Sequence, residues 1–173
     1  MKRGLTLIEI LVASSILILL ILAVFQVMEA GRSAVFTGDL TVQLRQEIIR
    51  TFMRMERELK EARPALVSLT SGNSSSTITF SVPQDINGDG TVLDDFGAIE
   101  WSAVITYALN GSNQIIRTSS GVTNVLANDI VSLQFSRPLS PVNILQIDMT
   151  ARKISSSGRQ LQDAGQMVIE MRN

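Results

Sequence analysis

The chain has 173 residues, enough for one domain of ordinary size and an anchor, and a net charge of −1, which leaves no cationic surplus to hold nucleic acid. It contains no His and no Cys. That removes the usual catalytic triads, thiolate chemistry, disulfides and most zinc sites, so an enzyme would have to work with carboxylates or Lys, and none is expected.

The apolar residues are unevenly spread. From Leu5 to Met28 the only ionisable side chain is Glu9. As a helix those residues reach about 36 Å, against a bilayer core of about 30 Å. Lys2 and Arg3 precede the run, so the positive-inside rule keeps the N-terminus cytoplasmic and exports the rest. A secretory signal peptide would have a shorter apolar core and a small-x-small cleavage site; here the run continues into Glu29-Ala30-Gly31-Arg32, still readable as helix. An ordinary signal anchor fits the length but leaves Glu9 unexplained. A carboxylate at membrane depth is costly and reads as functional.

Gly4-Leu5-Thr6-Leu7-Ile8-Glu9-Ile10-Leu11-Val12-Ala13 closely resembles the cleavage and methylation motif of type IV pilins and type II secretion pseudopilins. The resemblance implies cutting after Gly4 by a prepilin peptidase and N-methylation of Leu5, a position where the family most often has Phe. Glu9 then becomes the fifth residue of the mature chain, the family's characteristic Glu. It implies further that Glu9 pairs in the filament with the Leu5 amine of a neighbouring subunit. Physically, a bundle of apolar helices excludes water, and a carboxylate there needs a cationic partner.

The helical pattern continues beyond the membrane. Leu40, Leu44, Ile48, Phe52, Met55, Leu59 and Ala62 form one apolar stripe, and Pro64 ends the helix. Arg45, Glu47, Arg50, Arg54, Glu56, Arg57, Glu58 and Lys60 occupy the other faces and read as a solvated surface with pairs such as Glu56–Lys60. Gly31 and Gly38, between the two halves, are candidate hinges. Four stretches are therefore expected: a leader at 1–4, a membrane and polymerisation helix at 5–28, its amphipathic continuation at 29–63, and a β-rich head at 64–173.

Past Pro64 the period becomes two. Strands are predicted at 65–70, 77–82, 99–109, 114–119, 130–136, 143–153 and 166–172, with Leu145, Ile147, Met149 and Ala151 alternating against Gln146, Asp148 and Thr150. Asn110-Gly111 reads as a tight hairpin turn. One long helix followed by strands gives an α+β fold, the stripe packed on an antiparallel sheet. The pilin fold has that layout. The run Arg54–Pro64, with Tyr107-Ala108-Leu109, Ile115-Ile116-Arg117 and Arg172-Asn173, is similar in short pieces to J-type minor pseudopilins and W-type minor pilins.

One loop carries a separate signal. Asp85, Asn87 and Asp89 stand at positions 1, 3 and 5 of an EF-hand-like opening with Gly90 at 6, the Thr91 carbonyl at 7, and Asp94 and Asp95 in reserve. Position 12 is Phe96 where a bidentate Glu is expected, and flanking helices are missing. The alternatives are a structural Ca²⁺ site and a polar Asx/Gly turn that closes without metal.

Together these readings point to a non-enzymatic filament subunit. Its partners would be prepilin peptidase, other minor and major pilins or pseudopilins, the assembly platform and the inner membrane, with no nucleic acid. Its head would lie in the periplasm or outside the cell. An adhesin-type binding head and a membrane-anchored enzyme are the rival classes; Trp101 and Tyr107 lie in predicted strands and read as core rather than as a binding surface.

Overall fold

The computed structural model describes residues 6–155 and 158–172; Gly4, Leu5 and Asn173 lie outside them. The elements, in chain order, are helix α1 (Leu7–Glu61), a 3-10 turn (Pro64–Leu66), and strands β1 (Ser74–Ser75), β2 (Thr77–Phe80), β3 (Ile105–Leu109), β4 (Ile115–Ser119), β5 (Val122–Ala127), β6 (Ile130–Ser136), β7 (Ile144–Ile154) and β8 (Gln160–Glu170). The chain divides into two compact units between Asp39 and Leu40.

The first unit is helix. Its apolar side chains from Leu7 to Met28 are all exposed, and the helix is long and apolar enough to cross a membrane. The hydroxyls of Ser14 and Ser15 both donate to the Leu11 carbonyl, at 3.0 and 2.8 Å, so neither is left without a partner in an apolar surrounding. Gly31 and Gly38, read as hinges, lie inside unbroken helix.

The second unit is an α+β head. Leu44, Ile48, Phe52, Met55, Leu59 and Ala62 of the predicted stripe are buried against strands, joined by Thr51, whose hydroxyl donates to the Glu47 carbonyl at 2.7 Å. Two antiparallel four-stranded sheets, ordered β1-β6-β7-β8 and β2-β3-β4-β5, replace the single expected sheet. Both feed one core, with Ile78, Phe80 and Tyr107 from one sheet and Phe135, Leu145, Ile147 and Met149 from the other. The alternation in β7 is as predicted, with Leu145, Ile147, Met149 and Ala151 buried.

Several strand boundaries differ from expectation, each for a local reason. Residues 65–70 do not form a strand: Pro64 opens a 3-10 turn, although Val67 and Leu69 still reach the core. Only the last part of 99–109 is strand; before it the chain makes isolated bridges, Pro83 with Trp101 and Leu93 with Ile99. β5 is not among the predicted strands, because Val122 and Val125 are exposed and its sequence carries no in-out alternation. β8 starts at Gln160 rather than 166, since its polar start pairs with Arg152, Lys153 and Ile154 of β7. The β3–β4 link spans residues 110–114, not two: Asn110 Oδ1 accepts from the Ser112 and Gln114 amides, and Asn113, at φ 58°, takes the left-handed position.

Helix and sheet are in close contact at Gly165 on β8. A Cβ there would meet Ile48 Cγ2 at 2.7 Å and Phe52 Cε2 at 2.8 Å, both inside contact distance. Gly165→Val should therefore destabilise the head by about 1–3 kcal/mol through overpacking. Thermal melting of the detergent-solubilised chain, followed by the emission of its single Trp, measures this; an unchanged melting temperature would contradict the close contact.

Candidate functional site

Three groups of polar side chains stand out, and the first opens α1. The Thr6 backbone N–H and its hydroxyl both donate to Glu9 Oε2, each at 2.8 Å, and the Glu9 N–H returns to Thr6 Oγ1 at 3.4 Å. This is a capping box, which satisfies amides that the first helical turn leaves without carbonyl partners. Its sequence signal is the Thr-x-x-Glu spacing of Thr6-Leu7-Ile8-Glu9, which the charge of Glu9 in an apolar run masks. Gly4 and Leu5, the expected cleavage junction, are outside the described residues.

The second group clamps the amphipathic part of α1 to the head. Glu58 was expected on a solvated face; it is instead turned toward β3 and β4. Tyr107 Oη donates to Glu58 Oε2 at 2.7 Å, and Arg117 Nε donates to both carboxylate oxygens at 3.0 Å. The two charged side chains are each about a quarter exposed, so solvent screens the pair only partly. Tyr107 and Arg117 face each other across the β3–β4 register. Burial, and then the Glu58 carboxylate, push the Tyr107 phenol well above its ordinary value. The surface pair foreseen nearby, Glu56–Lys60, forms at 2.7 Å.

Arg137 was not singled out in the sequence. It is 8% exposed, with Nη1 donating to the Pro64 and Leu69 carbonyls at 3.0 and 2.9 Å and Nε to the Val142 carbonyl at 2.7 Å. It ties the segment after the helix to the end of β6, which is a structural task. Nothing in Ser136-Arg137-Pro138 marks it as buried.

The third group is the loop between β2 and β3. Asp85 Oδ1 and Oδ2 accept from the Gly88 and Gly90 amides at 2.7 and 2.9 Å; Asn87 Oδ1 accepts from Asp89 N at 3.0 Å; Asp89 Oδ1 accepts from the Thr91 amide and hydroxyl at 2.7 and 2.8 Å. The Thr91 amide, with its hydroxyl and the Asn87 amide, holds the Asp89 carboxyl below its usual value. Asp94 closes a second turn by accepting from the Phe96 and Ala98 amides, while Asp95 has no such partner among the described residues. Among those residues no three His, Cys, Asp or Glu side chains gather in a metal-holding group. The side-chain oxygens of Asp85, Asn87 and Asp89 expected on Ca²⁺ are thus engaged as Asx turns by the loop's own donors, whereas Asp94 Oδ2, the Asp95 carboxylate and the Thr91 carbonyl accept no hydrogen bond among the described residues.

The same β2–β3 segment forms one side of a hollow of 440 Å³, with Pro83, Val92, Leu93, Ile99 and Trp101 facing Glu61, Arg63 and Arg172. Trp101, expected in the core, is half-buried here, whereas Tyr107 is fully in the core. No protein-family model, curated protein or solved structure matches the chain.

Two predictions follow from these geometries. Tyr107 is the only Tyr, so phenolate absorbance reports it alone. Its raised pKa favours the protonated form of the folded chain. The associated stability is complete below the ordinary value of 10.0 and is lost as pH rises above it. Tyr107→Phe should cost about 1–2 kcal/mol at neutral pH and show a shallower loss of stability in alkali, measured by denaturant titration. In the loop, Asp85→Ala removes two hydrogen bonds that the Gly88 and Gly90 amides donate to its carboxylate, and should lower the melting temperature even in chelator, by the equivalent of about 1–3 kcal/mol. Any rise that millimolar Ca²⁺ gives the unsubstituted chain measures separately what an ion adds.

Proposed function

We propose that this chain is a non-enzymatic minor subunit of a type II secretion pseudopilus or type IV pilus, acting at or near the filament tip. It is held in the inner membrane by residues 5–28, with the N-terminus cytoplasmic and the head outside the cytoplasm, until prepilin peptidase removes Met1–Gly4 and the assembly platform adds it to sibling subunits. The observation that carries this reading is Glu9 in the first turn of an exposed apolar helix, six residues after Arg3 and inside the Gly4–Ala13 motif.

The capping box sharpens the role of Glu9. Thr6 gives two neutral hydrogen bonds to one carboxylate oxygen, and Oε1 has no donor among the described residues. Neutral donors orient a carboxylate without cancelling its charge. In a dehydrated helix bundle the charge still needs a cation, and the Leu5 amine freed by cleavage lies next to Thr6 in the chain. In the mature subunit one residue would thus hold Glu9 in place, and the amine of a neighbour would neutralise it.

Capping and charge are separable. Glu9→Gln keeps an acceptor for the Thr6 amide, because Gln serves as well as Glu in a capping box, but carries no charge. Membrane insertion and cleavage should be unchanged, while co-purification with sibling subunits should fall sharply; Glu9→Leu, which loses both, should do no better. Normal incorporation of Glu9→Gln would contradict the charge-pairing role.

A further inference from the structure

The hollow lined by Trp101 is partly apolar and carries an unbalanced charge. Arg63 and Arg172 stand on its rim against a single acid, Glu61, and none of the three makes an ion pair among the described residues. The Arg172 amide donates to the Lys60 carbonyl at 3.0 Å, which fixes that end of the chain beside the end of α1. The paired bridges Pro83–Trp101 and Leu93–Ile99 hold the apolar floor open as two short walls. At 440 Å³ it is within the size range of ligand pockets and roomy enough for an aromatic side chain.

The same head presents the complementary shape. The turn closed by Asp94 projects Phe96, which is 97% exposed, the largest exposure among the head's big apolar residues. The carboxylate of its neighbour Asp95 is exposed and has no hydrogen-bonding or ionic partner among the described residues. A bare Phe beside a free carboxylate is what a Trp-floored hollow with surplus guanidinium would take up: ring on apolar floor, carboxylate on arginine.

We propose that the Asp95-Phe96 tip of one copy of this chain docks in the Trp101 hollow of a second copy. Arg63 and Arg172 receive the Asp95 carboxylate, and Leu93, Ile99 and Trp101 receive the Phe96 ring. One loop tip in one hollow covers far less than the roughly 800 Å² per partner of a stable complex, so the contact is weak in dilute solution. It becomes significant when the membrane anchors or a filament hold heads side by side. It needs only neighbouring heads, and so stands or falls independently of leader cleavage and of Glu9.

The absence of Cys allows a clean test by cross-linking in membranes. One full-length copy carries Ala98→Cys beside the tip, and a differently tagged copy carries Val92→Cys on the floor of the hollow, next to the residues that receive the ring. A mixed-tag disulfide dimer should form well above the level of a Ser112→Cys with Val92→Cys control. It should fall to the control level when the Ala98→Cys copy also carries Phe96→Ala, or the Val92→Cys copy carries Arg63→Asp and Arg172→Asp. Unchanged Tyr107 absorbance and heat-melting profiles show that the variants fold. A dimer no stronger than the control, or one indifferent to Phe96→Ala, overturns the proposal. So does quenching of Trp101 emission by an acidic aromatic peptide without any dimer, since it assigns the hollow to a different chain.

Discussion

The structure depends on one helix meeting two different demands. From Leu7 to Met28 every large apolar side chain faces outward, which is stable only in lipid or among other apolar helices. From Leu44 to Ala62 a stripe of Leu44, Ile48, Phe52, Met55, Leu59 and Ala62 is buried by the chain's own strands, while Ile49 and Met53 on other faces stay exposed. The head cannot form without the second part, because Ile48, Phe52, Met55 and Leu59 supply one side of its core. Among the described residues the first part is left exposed, and it is long and apolar enough to cross a membrane.

Polar groups then fix what hydrophobicity leaves loose. An apolar stripe can slide or rotate on a sheet at modest cost; a carboxylate held at once by Tyr107 and Arg117 cannot, since a shift would strand a buried phenol and a partly buried guanidinium. Gly165 adds a steric stop, admitting Ile48 and Phe52 where any side chain would exclude them. Arg137 serves the far end in the same way, gathering three carbonyls that the turns after α1 and β6 leave unpaired. At the opposite end Thr6 and Glu9 satisfy each other and leave one carboxylate oxygen for a partner.

Much of this was legible in the sequence wherever periodicity was strong. The helix, its stripe, its end before Pro64 and the β7 alternation read directly, because a 3.6 or a 2 repeat over many residues has few alternatives. What could not be read was whatever depends on partners distant in sequence. Glu58 looks like any charge on a mixed face until Tyr107, 49 residues away, is placed above it. Arg137 looks like a strand-end cation, and β5 lacks alternation because it lies at an edge. Two sheets rather than one follow from strand pairing, which hydropathy does not encode. For the candidate sites, Glu9 and the Asp85–Asp95 loop were visible as motifs, but the capping role of Thr6 and the loop's closure on its own amides required coordinates.

The central claim is that the apolar half of α1 is an assembly element made competent by cutting next to Leu5. Its most direct test is the intact mass of the chain extracted from membranes of cells that contain a prepilin peptidase. The account predicts a chain lacking Met1–Gly4 and carrying one added methyl group on Leu5. A chain that retains Met1, or one cut near residue 30, would contradict it.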